Sequence, residues 1–377
     1  MYRIGFDARR AFKNFGGLGN YSRSSISSLS QFFNYNEYYL YTPPFKDHSL
    51  FAFRDSSNVT IRTPKGLSAI STAYWREYSI KKAIEKDNLD LYHGLTGELP
   101  LSNTDIPKVV TIHDLDCHRY PMYYRPFDRW LCSARISRSA KSANKIIAVS
   151  KQTADDIVEF FGTDRSKIEI VHPSCDPQFY TPASAEKAQQ VKEKYNLPKR
   201  FIVAMGAIEE RKNVVSIVKA LPRLPKDIKL YCFGKWTPYA LNIMAVAENL
   251  GVRDRVVLIH DADFSLMPAI YSLAEALIYV SHSEGFGIPV LEGITYGIPV
   301  ITSGGSSMAE AGGDAALYAN PLSPSDIGDK IEMILSSPTL RHSMIERGFD
   351  HARQFRNDKA AEKLFEIYTK TINEFKK

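Results

Sequence analysis

The sequence predicts an α/β protein built from two Rossmann-like, doubly wound domains that face each other across a cleft, with a C-terminal helix. Three observations carry that expectation. Short apolar, β-branched runs alternate with amphipathic helical stretches, the signature of parallel α/β architecture. The alternation breaks at a proline-rich segment and then restarts. At 377 residues the chain also exceeds the size at which a single core usually keeps growing.

In the first half, strands are expected at Arg3–Asp7, Tyr38–Thr42, Val59–Thr63, Leu89–His93, Lys108–His113 and Lys145–Ser150, with one more at Ile168–His172. Helical periodicity marks Asn20–Phe33, Tyr74–Lys86 and Asp128–Ala143 between them. His172–Pro182 carries three prolines and reads as the linker. Strands then resume at Arg200–Met205, Ile228–Phe233, Arg255–Ile259, Ala276–Ser281 and Pro299–Thr302. Helices at Val214–Leu221, Pro238–Leu250, Leu266–Leu273 and Pro289–Tyr296 separate them. The last stretch, Ala352–Lys377, places Ala361, Leu364, Phe365, Tyr368 and Ile372 on one apolar stripe. The domains are therefore set at 1–175 and 176–377, with the terminal helix in the second.

Composition excludes several classes. With 44% hydrophobic and 24% charged residues the chain is neither disordered nor fibrous. Cys117, Cys132, Cys175 and Cys232 form no CxxC pair, which argues against a zinc site or a disulfide framework and suits a reducing compartment. A strand-like Tyr2–Phe6 follows the first residue directly, so no signal peptide is expected, and no apolar run approaches the roughly 20 residues of a membrane span. A cytoplasmic protein is expected. Residues 1–175 hold 24 Lys+Arg against 18 Asp+Glu, and residues 176–377 hold 24 against 24, so the net charge of +6 lies wholly in the first half. That half should meet an acidic ligand or surface.

Two loops of the second half carry chemistry. "SEGFGIPVLEG", residues 283–293, follows a buried strand, and Pro289 suits the first turn of a helix, where its missing N–H costs nothing. Glu284 then stands at a strand's carboxyl end and Glu292 in a helix's first turn, in the crevice where open α/β sheets bind ligands. Either glutamate alone reads equally well as an ordinary loop or helix-terminal carboxylate. The loop Met205–Asn213 sets Arg211 and Lys212 at another strand end before a helix, a place suited to anions. Together the loops offer cations for a diphosphate and carboxylates for sugar hydroxyls. Gly16-Gly17-Leu18-Gly19 near the start departs from a GxGxxG fingerprint and on its own reads as a turn.

"AMGAIEERKN", "SEGFGIPVLEG" and "SSMAEAGGDAALYANP" closely resemble retaining nucleotide-sugar glycosyltransferases of family four, which have the GT-B fold. "GGLGNYSR", "VTIHDLDCHRYP" and "AVSKQTADDI" extend the resemblance through the first half, nearest to the mannosyltransferase-like branch that builds bacterial surface polysaccharides. The resemblance implies that Glu292 binds the ribose hydroxyls and that Glu284 faces the transferred sugar and its developing positive charge. Arg211 and Lys212 would neutralise the leaving diphosphate, a task otherwise given to a metal. The backbone of Gly285, Phe286 and Gly287 would approach the sugar and phosphate closely. From the first half, Gly17 would lie against the diphosphate, His113 against the donor sugar, and His93 and Asp114 toward the acceptor. Many relatives carry an arginine where this chain has Ala207, which leaves Arg211 and Lys212 as the phosphate cations of that loop.

The implied partners are a nucleotide sugar, GDP-mannose first, and a glycan or lipid-linked acceptor; no cofactor, metal or nucleic acid is expected. Asp261-Ala-Asp263 matches a Mn²⁺-binding pattern of the other glycosyltransferase fold, but so short a match arises often by chance. Ser307 and Glu310 fit a helix capping box, a structural role. Arg129, Arg135, Arg138, Lys141, Lys145 and Lys151 fall in a stretch, 129–154, without an acidic residue, beside Tyr120, Tyr123, Tyr124, Phe127 and Trp130. This mixture suits a peripheral contact with an anionic membrane, and a solvated basic face reads as well. Two alternatives to glycosyl transfer stand beside it: a phosphorolytic relative, and a nucleotide-sugar-binding subunit or regulator without turnover.

Overall fold

The computed structural model describes residues 1–64, 71, 74–260 and 262–377. They form two compact units, Met1–Ser174 with Phe355–Lys377, and Cys175–Gln354. The first contains strands β1 (Arg3–Asp7), β2 (Glu37–Tyr41), β3 (Val59–Arg62), β4 (Leu91–Gly94), β5 (Lys108–Ile112), β6 (Lys145–Ala148) and β7 (Ile168–Ile170). They pair in parallel in the order β3-β2-β1-β4-β5-β6-β7. The second contains β8 (Phe201–Met205), β9 (Lys229–Phe233), β10 (Val256–Ile259), β11 (Ala276–Tyr279), β12 (Val300–Ser303) and β13 (Leu317–Ala319). Their order, β10-β9-β8-β11-β12-β13, is parallel throughout. Strand order reverses between β1 and β4 in one sheet and between β8 and β11 in the other. Those two switch points are where a doubly wound sheet opens a crevice at its carboxyl edge.

The strands read as continuous apolar runs because helices cover both faces. Every residue of β5, β11 and β12 is buried. In the first unit Val110, Ile112 and Ile146 pack with Ile84 and Ile157 from flanking helices. In the second, Ile202, Leu230 and Ile278 pack with Ile217, Ile243 and Ile331. Most expected elements form within a residue or two of their predicted ends. Tyr74–Lys86 instead splits into a π-helical turn, Trp75–Ser79, and an α-helix, Ile80–Lys86. The three-residue β13 and the helices Lys151–Phe161, Ala185–Lys194, Pro324–Ser336 and Pro338–Ala352 were not anticipated.

The terminal helix, Asn357–Phe375, belongs to the first unit and not to the second, where sequence order placed it. Its Phe365 stacks on Phe33 at 4.3 Å between ring centroids, and Tyr368 is fully buried against Phe6. Tyr368 also explains His93. The imidazole is fully buried, with Nδ1 2.6 Å from the Tyr368 hydroxyl and Nε2 2.8 Å from the Thr111 hydroxyl. Both ring nitrogens are thus taken within the first unit. The expected acceptor contact of His93 is corrected to a structural one, tying the terminal helix to β4 and β5.

Burial, with His113 nearby, holds the His93 imidazole down at about 3 against its ordinary 6.5. The folded protein therefore refuses a proton that the unfolded chain accepts, so His93 withdraws stability as pH falls below 6.5 toward 3. Urea denaturation from pH 4 to 7 should show a shallower loss on acidification for His93→Gln than for the wild type.

Candidate active site

The second unit gathers its charged groups at the β8/β11 switch point. After β8 the chain turns through Gly206 at φ +110°, a left-handed conformation that L side chains rarely adopt, and a Cβ there would meet the Lys212 stem at 3.4 Å, in ordinary contact. A 3₁₀ turn, Glu210–Lys212, leads to Asn213 at φ 59°, which opens the helix Val214–Ala220. Asn213 is buried and donates from Nδ2 to the Val280 carbonyl at 3.0 Å and the Pro321 carbonyl at 2.7 Å. The Arg211 carbonyl accepts from the His282 N–H at 2.9 Å. The cationic loop is therefore clamped to the segment after β11 that carries Glu284.

Glu284 closes the arrangement. Its Oε1 lies 2.6 Å from Lys212 Nζ and its Oε2 3.1 Å from Arg211 Nη1. Arg211 Nη1 also donates to the Ser283 carbonyl at 2.6 Å, and Lys212 Nζ donates to the Tyr279 hydroxyl at 2.6 Å. Burial alone would raise the Glu284 carboxyl, but Lys212 and Arg211 overrule it and hold it at about 2. Ser307 is the first residue of a short helix, and its hydroxyl donates to the Glu284 carbonyl. The expected capping box is absent, because the preceding Ser306 makes no side-chain cap and Ser307 is committed to the 283–287 loop. Gly287 has φ +101° and caps the helix Ile288–Tyr296, while Phe286, after Gly285, is buried.

Glu292 stands differently. It lies in the second turn of that helix and not the first, since Gly287 is the cap and Ile288 the first helical residue. It is 5% exposed, and burial, reinforced by Asp176, pushes its carboxyl up to about 8. No described side chain gives it a countercharge, so a ligand whose hydroxyls donate to it would relieve the desolvation.

Within the first unit, Gly17 and Gly19 open the helix Gly17–Phe32, whose cap position, Gly16, provides no side chain. A Cβ on Gly19 would lie 1.7 Å from the Asn14 carbonyl oxygen, so the fold requires that glycine. Gly17 has nothing within 4 Å, so packing leaves it unexplained. His113 follows β5, and its Nε2 donates to the Leu95 carbonyl at 2.9 Å, which leaves Nδ1 as an acceptor. Burial lowers its basicity and keeps the ring neutral. Asp114 accepts from the Asp116 N–H at 3.3 Å, a local turn contact.

Sequence reasoning missed Asn213, Tyr279 and Ser307 as supports of the Glu284 loop. Asn213 had a signal, an asparagine at a helix start, whereas a strand-ending tyrosine has none. The pair Asp261 and Asp263 lies partly outside the described residues, and Asp263 caps a 3₁₀ turn by accepting from the Ser265 N–H at 2.9 Å. Among the described residues no three His, Cys, Asp or Glu side chains gather as metal ligands.

Residues 15–179 match the family described as Glycosyltransferase Family 4, and residues 185–351 match Glycosyl transferases group 1. The chain is 28% identical over 295 residues to the O-antigen chain mannosyltransferase B of Escherichia coli, covering 76% of this chain and 74% of that one. It is 27% identical over 270 residues to the O-antigen chain mannosyltransferase RfbU of Salmonella typhimurium, covering 70% and 71%. Among solved structures, Anabaena HepE in complex with UDP and glucose superposes with a TM-score of 0.76 at 14% identity, over 98% of this chain and all of that one.

Glu284→Gln should lower the unfolding free energy by about 3 kcal/mol, because Lys212 and Arg211 would keep buried charge without its countercharge. Inorganic pyrophosphate supplies that charge, so it should raise the Tm of the variant more than that of the wild type. Equal shifts would place anion binding elsewhere.

Proposed function

Because the chain belongs to the family-four glycosyltransferases, with the GT-B fold, we propose that it is a retaining, metal-independent hexosyltransferase. It moves a hexose, mannose first, from a nucleoside-diphosphate sugar to a glycan or lipid-linked acceptor in surface polysaccharide synthesis. The observation that carries this reading is the convergence of Arg211 and Lys212 on buried Glu284 at the β8/β11 switch point. Two mannosyltransferase relatives support the sugar, and the HepE complex supports a nucleoside diphosphate as the donor's handle.

Transfer breaks the bond from the sugar's anomeric carbon to the diphosphate oxygen and forms one to an acceptor hydroxyl. Negative charge grows on the departing oxygen, and positive charge on the anomeric carbon. Arg211 and Lys212 sit where fixed cations meet that negative charge without rearranging, because Asn213 and Glu284 already hold them. Glu284, ionised at any physiological pH, offsets the positive charge. His113 Nδ1 accepts from a sugar hydroxyl, Glu292 accepts from the ribose, and Gly17 leaves room for phosphate.

A panel of nucleotide sugars, GDP-mannose and UDP-glucose included, tests the reading through slow donor hydrolysis, and turnover separates an enzyme from a binding subunit. Product NMR should show the donor's anomeric configuration, and EDTA should leave the rate unchanged; an inverted product or full rescue by Mn²⁺ would overturn the mechanism. Arg211→Ala and Lys212→Ala should each cut turnover by roughly two to three orders of magnitude. Glu292→Ala should mainly weaken nucleotide binding.

A peripheral contact with anionic membrane completes the proposal, on a changed set of residues. Arg138 is turned inward to Glu77 at 3.4 Å and to the Leu99 carbonyl at 3.2 Å, and Arg135 lies 3.8 Å from Glu98. Lys145 lies on β6, beyond the helix Pro126–Ser142. The outward groups are Met122, Phe127 and Trp130, at 72, 69 and 64% exposure, with Arg125 and Arg129 exposed among them beside Asp128, and Lys141 exposed further along the helix. Apolar tips with adjacent guanidinium groups suit a headgroup interface, each basic residue contributing about 1 kcal/mol there. No described helix is long and apolar enough to cross a membrane. Phosphatidylglycerol vesicles should sediment the protein at low salt and release it at high salt. Phe127→Ser with Trp130→Ser should abolish the association, and an unchanged pellet would refute the assignment.

A further inference from the structure

The first unit holds a cavity of about 210 Å³ at the β1/β4 switch point. Asp7 ends β1 and Tyr92 stands on β4, and both line it with Arg9, Trp75, Arg76 and Arg135. The volume is well beyond the ~30 Å³ share of one water and below the ~300–1,000 Å³ of sites for drug-sized ligands. It suits one sugar ring. We propose that this cavity is the acceptor subsite for a monosaccharide unit bearing an oxyanion, a carboxylate or a phosphate. The assignment rests on the glycosyltransferase reading and adds to it the chemical class of the acceptor.

Unsatisfied donors point to an anion. The Tyr92 hydroxyl, on a residue 1% exposed, has no hydrogen-bond partner among the described residues, and neither has the buried Nε of Arg9. A guanidinium N–H can only donate, so its missing partner is an acceptor. A buried donor left unmade costs about 1–3 kcal/mol, a cost that a bound oxyanion removes.

The charge balance agrees. Three guanidinium groups line the cavity against one carboxyl, that of Asp7. Glu98 stands behind them, 2.6 Å from Arg76, 3.2 Å from Arg9 and 3.8 Å from Arg135, and Glu77 takes another edge of Arg76. These carboxylates fix the guanidinium planes; with Asp7 they equal the three guanidinium groups in number, so the cationic excess is the share of Asp7 that carries a proton. Burial pushes the Asp7 carboxyl up to about 7; Arg76 and Arg10 oppose the rise while Glu98 and Glu77 add to it. At neutral pH a large share of Asp7 thus carries a proton that it can donate to an oxyanion. Trp75, Tyr41 and Tyr92, none more than 5% exposed, form the closed wall of the cavity.

Isothermal titration of the full chain with glucuronate, glucose 6-phosphate, glucose and inorganic phosphate tests the assignment. At least one acidic sugar should bind ten-fold or more tightly than glucose, and which one wins names the carboxylate or the phosphate. Tyr92→Phe removes only an orphan hydroxyl, so it should weaken that binding about tenfold while leaving the Tm unchanged or slightly higher. Arg135→Gln should weaken it as well. Glucose binding as tightly as the acidic sugars, inorganic phosphate matching glucose 6-phosphate, or an unchanged affinity in Tyr92→Phe would each overturn the inference. Nucleotide-sugar hydrolysis by the same preparation keeps the two readings apart. Hydrolysis with no preference for acidic sugars removes this inference alone, whereas loss of hydrolysis across the donor panel removes the enzyme assignment.

Discussion

The second unit depends on how one buried carboxylate is held. Glu284 stands at the edge of the β8–β11 switch point, largely removed from water, where an unpaired charge would cost several kcal/mol. Two cations from the loop after β8 meet it, and their own positions are fixed by Asn213 reaching across to Val280 and Pro321. Each loop is thus ordered by the other, although some 70 residues of chain separate them. The positive φ of Gly206 and Gly287, the hydroxyl of Ser307 and the ring of Tyr279 all serve that one contact. A site whose charges are already paired and oriented has no reorganisation left to perform when negative charge arrives, which is the condition for strong electrostatic catalysis.

The two switch points solve the burial of charge in opposite ways. At β8/β11 the ion pairs close on themselves, with Lys212 and Arg211 sharing the two oxygens of Glu284. At β1/β4 the guanidinium groups are braced from behind by Glu98 and Glu77, while Tyr92 and Arg9 keep donors that no described residue satisfies. A self-compensated cluster is ordered before any ligand arrives. An under-satisfied one stores a cost that only a ligand of matching chemistry removes. The same sheet topology therefore supplies an arrangement suited to catalytic charge and another suited to recognition.

The strands were legible because burial on both faces of a parallel sheet leaves uninterrupted β-branched runs, as at Lys108–Ile112 and Ala276–Tyr279, whereas the helices Lys151–Phe161, Ala185–Lys194, Pro324–Ser336 and Pro338–Ala352 went unforeseen. The charged loops were legible because the turn chemistry of "SEGFGIP" and the adjacent Arg211 and Lys212 both mark strand ends. β13, no shorter than β7, escaped because Leu317–Ala319 holds no β-branched residue. The terminal helix showed its apolar stripe, but a stripe says that a helix packs and not on what. Its partner, the Gly17–Phe32 helix, lies more than 300 residues earlier in the chain.

Charge was the least legible property, for a reason the helix Pro126–Ser142 makes plain. A run of basic residues without acidic neighbours reads as an open cationic face, yet the acids that pair with Arg135 and Arg138 are Glu98 and Glu77, some 40–60 residues upstream. Local sequence cannot reveal a countercharge brought in by topology. The same blindness ran the other way for His93, whose strand-end position suggested a ligand contact. Its two nitrogens are met by Thr111 on the neighbouring strand and by Tyr368 from the far end of the chain. Long-range pairing consumed those groups, and what it left is the more informative residue: the Tyr92 hydroxyl and the Arg9 Nε, buried donors without a hydrogen-bond partner among the described residues.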